Sequence, residues 1–90
     1  MEIEYDPRKN AANINERGLS FDMARDFEWP EALTWRDTRK DYSELRVCAL
    51  VPYRRRIYAV TFTPRGETMR IISLRKANKR EESCYEKEKN

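Results

Sequence analysis

The stretch TMRIISLRKANKREESCY, Thr68 to Tyr85, changes its period part-way along. Through Arg75 it reads as a strand with Met69 and Ile71 on one face and Ile72 and Leu74 on the other, the pattern of a central strand. From Asn78 it reads as a helix, because Asn78-x-x-Glu81 is a capping box; the helix is expected from near Ala77 toward Glu88. With only Ala77, Cys84 and Tyr85 to bury, that helix is marginal on its own. Arg70, Ser73 and Arg75 interrupt the apolar strand and Lys76 follows it, so the segment forms a cationic strand-to-helix platform suited to phosphate.

Upstream, the local signals bracket the other elements. Ile3 to Tyr5 is a short strand candidate. Asp6-Pro7 is an N-cap followed by proline at the first helical position, so a helix is expected from Arg8 to about Arg17, ended by Gly18. Ser20 caps a second, shorter helix in which Phe21, Ala24 and Phe27 share a face and which Pro30 stops. Ala32 to Trp35, Leu45 to Val51 and Ile57 to Thr63 are strands. Asp37 to Ser43 is an exposed loop, Pro52 ends its strand, Tyr53 to Arg56 is a hairpin tip, and Pro64-Arg65-Gly66-Glu67 is a turn. The fold class is therefore α+β: a small, mostly antiparallel sheet of consecutive hairpins, two N-terminal helices on one face, and a C-terminal helix.

Ninety residues, with 39% charged and 39% hydrophobic, allow a single domain with one thin core. The net charge of +3 conceals a polarity along the chain. Residues 1–52 carry 8 Lys/Arg against 11 Asp/Glu, whereas residues 53–90 carry 11 against 5. Because the cations share a segment with the strands, a polyanion partner is expected on a folded surface. No apolar run is long enough to span a bilayer and the first residues are acidic, so no membrane association and a cytoplasmic location are expected.

Composition removes most chemistries. The chain has no histidine and only 2 cysteines, without CxxC spacing, which excludes a zinc site; no cofactor is expected. Its 2 glycines cannot build a phosphate-cradling loop. Cleavage of RNA without a metal stays feasible, since the substrate supplies its own nucleophile, the 2′-hydroxyl. The protein must then hold the phosphate, stabilise the charge of the five-coordinate phosphorus and move two protons. Arg70 and Arg75 are the candidates for charge stabilisation. Lys76, set among Arg75, Lys79 and Arg80, and Tyr85 are the candidates for proton transfer. Arg54, Arg55 and Arg56 with Lys79 and Arg80 are expected to position the RNA backbone. The competing structural reading pairs Arg70 with Glu44 or Glu67 and makes Tyr85 an anchor for the last helix.

These residues resemble, in order and spacing, the BrnT-type toxins of type II toxin–antitoxin pairs. The likeness runs through Glu4-Tyr5-Asp6, Lys9, Asn13, Gly18, Ser20-Phe21 and Ala24, then Glu44-x-Arg46. It ends in Arg70-Ile71-Ile72-Ser73-x-Arg75-x-Ala77-x-x-x-Glu81-x-x-x-Tyr85. The resemblance implies a RelE-like ribonuclease fold, an RNA substrate and inhibition of translation. It also implies neutralisation by a BrnA-like ribbon-helix-helix antitoxin, with operator DNA bound only through the toxin–antitoxin complex. One departure stands out: where such toxins usually read Lys-His-Gly, this chain has Glu16-Arg17-Gly18, and arginine does not readily shuttle a proton. The alternative reading is a non-catalytic module of the same fold that binds nucleic acid or antitoxin.

Overall fold

The structure, a computed structural model, describes residues 2–89. It contains strand β1 (Glu2–Tyr5), helix α1 (Pro7–Arg17), two 3₁₀ helices (Phe21–Asp26 and Trp29–Glu31), strands β2 (Leu33–Arg36), β3 (Val47–Tyr53), β4 (Arg56–Arg65) and β5 (Thr68–Lys76), and helix α2 (Lys79–Lys89). The strands form one five-stranded sheet in the order β1-β5-β4-β3-β2. No helix of the described residues is long and apolar enough to cross a membrane.

The expected mostly antiparallel sheet is corrected to a mixed one. β2, β3, β4 and β5 pair antiparallel in succession, but β1 lies parallel to β5, with Ile3 opposite Met69 and Tyr5 opposite Ile71. Residue periodicity assigns a strand its faces and says nothing of the direction of its neighbour, so the parallel pair was invisible in the sequence.

The expected pair of N-terminal α-helices is corrected as well. α1 forms as its signals dictate: the Asp6 carboxylate accepts the Arg8 N–H at 2.9 Å, and Gly18, at φ 70°, donates its N–H to the Ile14 carbonyl. The segment after Ser20 is a 3₁₀ helix instead. Phe21, Ala24 and Phe27 recur every three residues, and residues three apart eclipse one another at three residues per turn, so the spacing suits the tighter helix. This segment and Leu19, not α1, supply the buried side chains that cover the inner face of the sheet. α1 buries only Asn13, whose amide donates to the Leu19 carbonyl, while Asn10 accepts the Phe21 N–H.

Two prolines expected to end strands lie within them. Pro52 belongs to β3 but sits beyond the last residue paired to β2, so its missing N–H faces no neighbouring strand. Pro64 likewise continues β4, and the turn shrinks to Gly66 and Glu67, with Gly66 at φ 61°.

The feature that shapes the site is a bulge in β5. Thr61 pairs with Ser73 and Phe62 with Ile71, leaving Ile72 as an extra residue. An extra residue shifts the alternation of a strand by one. Met69, Ile71 and Leu74 therefore all enter the core, and Arg70, Ser73 and Arg75 all turn to the outer face. The three polar interruptions of the sequence are thus consistent with an ordinary half-buried strand.

Candidate active site

On the outer face, cross-strand neighbours fall into rows. One row runs Trp35, Cys48, Thr61, Ser73 and the next runs Leu33, Leu50, Ala59, Arg75. In the first row the middle side chains, Cys48 and Thr61, are short, and Ala59 beside them is shorter still, so the face is hollow there. The hollow is a cleft of about 280 Å³ walled by Trp35, the Asp37–Arg39 segment, Arg75 and, from α2, Glu81.

Two ion pairs fix the charged walls. Arg75 donates to both carboxylate oxygens of Glu81, at 2.7 and 3.0 Å, and this bond is the first reason that the Glu81 carboxyl lies below its usual range. Arg39 donates at 2.9 and 2.8 Å to Asp37, whose carboxyl is driven far below the ordinary carboxylate range chiefly by that contact. The Asp37 side chain is 2% exposed and that of Arg39 is 76% exposed, so a buried acid holds an outward-facing cation in one orientation.

The sequence candidates do not all meet in one place. Arg75 and Lys76 come together with Arg17 and Leu19 around a second, shallow hollow at the edge of the sheet. α1 packs against β5, which brings Arg17 to the same hollow as Lys76. Arg70 lies about 15 Å back along β5 by strand rise. It pairs with Glu4 at 3.6 Å and lines a separate hollow with Lys9, Tyr42 and Arg46. Glu44, the partner considered for it, binds Arg65 instead. The Tyr85 hydroxyl donates to the Glu31 carbonyl at 2.7 Å, and burial together with the nearby Glu31 and Glu28 raises its pKa.

Arg54, Arg55 and Arg56 form the exposed tip of the β3–β4 hairpin. Ala77 donates its N–H to Ile57 just behind that tip, so Lys76, Lys79 and Arg80 stand at the same end of the sheet. Arg54 and Arg55 have φ of 49° and 64°. A two-residue hairpin turn with both φ positive favours Asn-Gly, so these arginines occupy positions that local conformation disfavours.

Sequence reading missed Trp35, Asp37, Arg39 and the role of Glu81 as a partner of Arg75. The one signal was Asp37-x-Arg39, two opposite charges beside a tryptophan in an otherwise polar stretch.

A family model described as the ribonuclease toxin BrnT of the type II toxin–antitoxin system matches residues 5–81. The chain belongs to the BrnT family. The match spans Arg17, Arg39, Arg70, Arg75, Lys76 and Glu81, and Tyr85 lies past its end. No curated protein matches the sequence. As a BrnT-type toxin, the chain comes from a family of ribonuclease toxins, which implies an antitoxin partner and an RNA target.

Proposed function

We propose that this BrnT-type toxin is a metal-independent endoribonuclease that acts as one cytoplasmic domain, inhibits translation and is neutralised by a BrnA-like ribbon-helix-helix antitoxin. The observation that carries the reading is that Arg17, Arg75 and Lys76 all line one open hollow beside the cleft. Cationic residues gathered at one edge of the sheet can stabilise a phosphate whose charge grows in the transition state.

In this mechanism the 2′-hydroxyl oxygen attacks phosphorus as it loses its proton, the bond to the 5′ oxygen breaks, and that oxygen gains a proton. The products are a 2′,3′-cyclic phosphate and a 5′-hydroxyl end. Arg75 and Arg17 stabilise the five-coordinate phosphorus, and Lys76 moves the protons. Arg70 and the cations Arg54, Arg55, Arg56, Lys79 and Arg80 hold flanking phosphates on either side. Tyr85 enters the chemistry only by releasing Glu31, so its first role in this scheme is to seat α2.

The test is purified toxin, free of antitoxin, incubated with RNA in EDTA. Cleavage leaving a 2′,3′-cyclic phosphate, abolished by Arg75→Ala and by Lys76→Ala, supports the enzyme. Salt-sensitive binding of RNA that stays intact would establish the non-catalytic module in its place.

A further inference from the structure

The cleft between Trp35 and Arg75 has features that phosphate binding alone does not require. Trp29, the other tryptophan, packs on Phe62 and Phe27 and spends its indole N–H on the Ala24 carbonyl. Trp35 is 45% exposed at the end of a cross-strand row whose next members are Cys48, Thr61 and Ser73. An indole left open at the wall of a hollow offers a flat apolar face to a flat ligand. The row spans three strand spacings, about 14 Å between its end Cα atoms, and the volume of about 280 Å³ is close to the lower limit of small-molecule pockets. A nucleotide-sized group fits that space, whereas a helix about 10 Å across does not.

We infer that this cleft receives one base of the RNA strand, stacked on Trp35, with the Thr61 and Ser73 hydroxyls toward its edge and the adjoining phosphates between Arg39 and Arg75. Stacking on an aromatic side chain is how single strands are commonly gripped, since every base has a π face. Hydroxyls donate and accept, so the floor can read a base edge and sets a preference for one base over another. The buried Asp37 contributes by fixing Arg39 before the strand arrives, which lowers the ordering cost of binding. An acidic protein segment would use the two arginines and leave the indole and hydroxyls without a matching group, so the row favours a nucleotide. The inference rests on the ribonuclease reading for the identity of the strand, and Trp35 serves here as a binding and specificity residue, not a catalytic one.

Binding of dye-labelled 2′-deoxy hexanucleotides, one for each base, tests this by anisotropy, because strands lacking the 2′-hydroxyl cannot be cut by the proposed route. Wild-type toxin is expected to distinguish the four. Trp35→Ala should weaken the preferred one roughly 5- to 150-fold and compress the differences among them. Trp35→Phe should recover most of both. Unchanged affinity and ranking in Trp35→Ala would overturn the inference, as would a defect confined to antitoxin binding. Failure of the ribonuclease reading shows separately, as RNA left intact in EDTA, and does not alter this readout.

Discussion

Arg75 and Glu81 join β5 to α2 through one two-pronged pair, and the same Glu81 Oε1 that accepts from Arg75 also accepts the Asn78 N–H. Asn78 in turn accepts the Glu81 N–H at 2.8 Å, so the capping box and the ion pair are one unit. The consequence for binding is a competition: a phosphate approaching Arg75 must share it with Glu81. Glu81→Gln keeps the shape and a cap acceptor while removing the charge. It should tighten RNA binding severalfold by releasing Arg75 and lower stability by about 1 kcal/mol. Filter binding and urea unfolding read the two effects, and looser RNA binding would show instead that Glu81 orients Arg75 for its ligand.

Acid should weaken the fold through the same kind of contact. Asp37 and Glu81 both have depressed carboxyl pKa values, held down first by Arg39 and Arg75 respectively. A depressed group binds protons less readily in the folded state than in the unfolded one. Its contribution is therefore complete above the unfolded pKa, near 4, and is lost as pH falls through the folded value. Unfolding midpoints should be level from pH 7 to about 5 and then decline. Asp37→Asn should be less stable than wild type at pH 7 and approach it in acid. A constant offset between the two down to about pH 2 would show that the carboxylate charge is not the source.

Arg17 stands beside Arg75 and Lys76, at the position where the family resemblance expects a histidine. Arg17→His would place a group that titrates near neutrality at the proposed reacting phosphate. The neighbouring cations disfavour the imidazolium, so its pKa should fall below the usual value of about 6.5. Cleavage should rise on the order of tenfold or more, and the pH–rate profile should gain an inflection below that value. An unchanged rate with a flat profile would place the hollow outside the chemistry.

Local chemistry made much of this legible in the sequence. Asp6, Pro7 and Gly18 bracket α1, and Asn78 with Glu81 opens α2, because caps are satisfied by residues only a few positions away. What stayed hidden was register. Nothing near Ile72 announces a bulge, yet the bulge decides that Arg70, Ser73 and Arg75 share a face. Cys48, Thr61 and Ser73 are small residues of no evident role until cross-strand pairing sets them in a row with Trp35. The basic platform was readable one residue at a time, and the cleft needed four strands at once.

Tyr85 separates an anchor from a proton donor. Its hydroxyl reaches Glu31 across 54 positions of sequence, and Lys89 pairs with the Glu31 carboxylate at 3.5 Å, so this end of α2 is held at one site. No described residue of α2 is fully buried, and these contacts and the Arg75–Glu81 pair help to seat it. Tyr85→Phe should cost about 1 kcal/mol and raise amide exchange along α2, with cleavage close to wild type. A large loss of cleavage with normal exchange would instead assign Tyr85 to proton transfer.

The Arg54-Arg55 turn offers a test in which stability and function should move in opposite directions. Both residues have positive φ, and Tyr53 pairs with Arg56 across them, so the turn suits Asn-Gly better than two arginines. Replacing the pair, Arg54→Asn with Arg55→Gly, should stabilise the hairpin by about 1 kcal/mol. If both arginines meet phosphates, the same change should reduce the slope of log affinity for single-stranded RNA against log salt by about 1.4. Unfolding in urea and binding at several salt concentrations measure the two quantities on the same protein. A more stable toxin with an unaltered salt slope would remove the hairpin tip from the RNA path, and the strain in the turn would then need another cause.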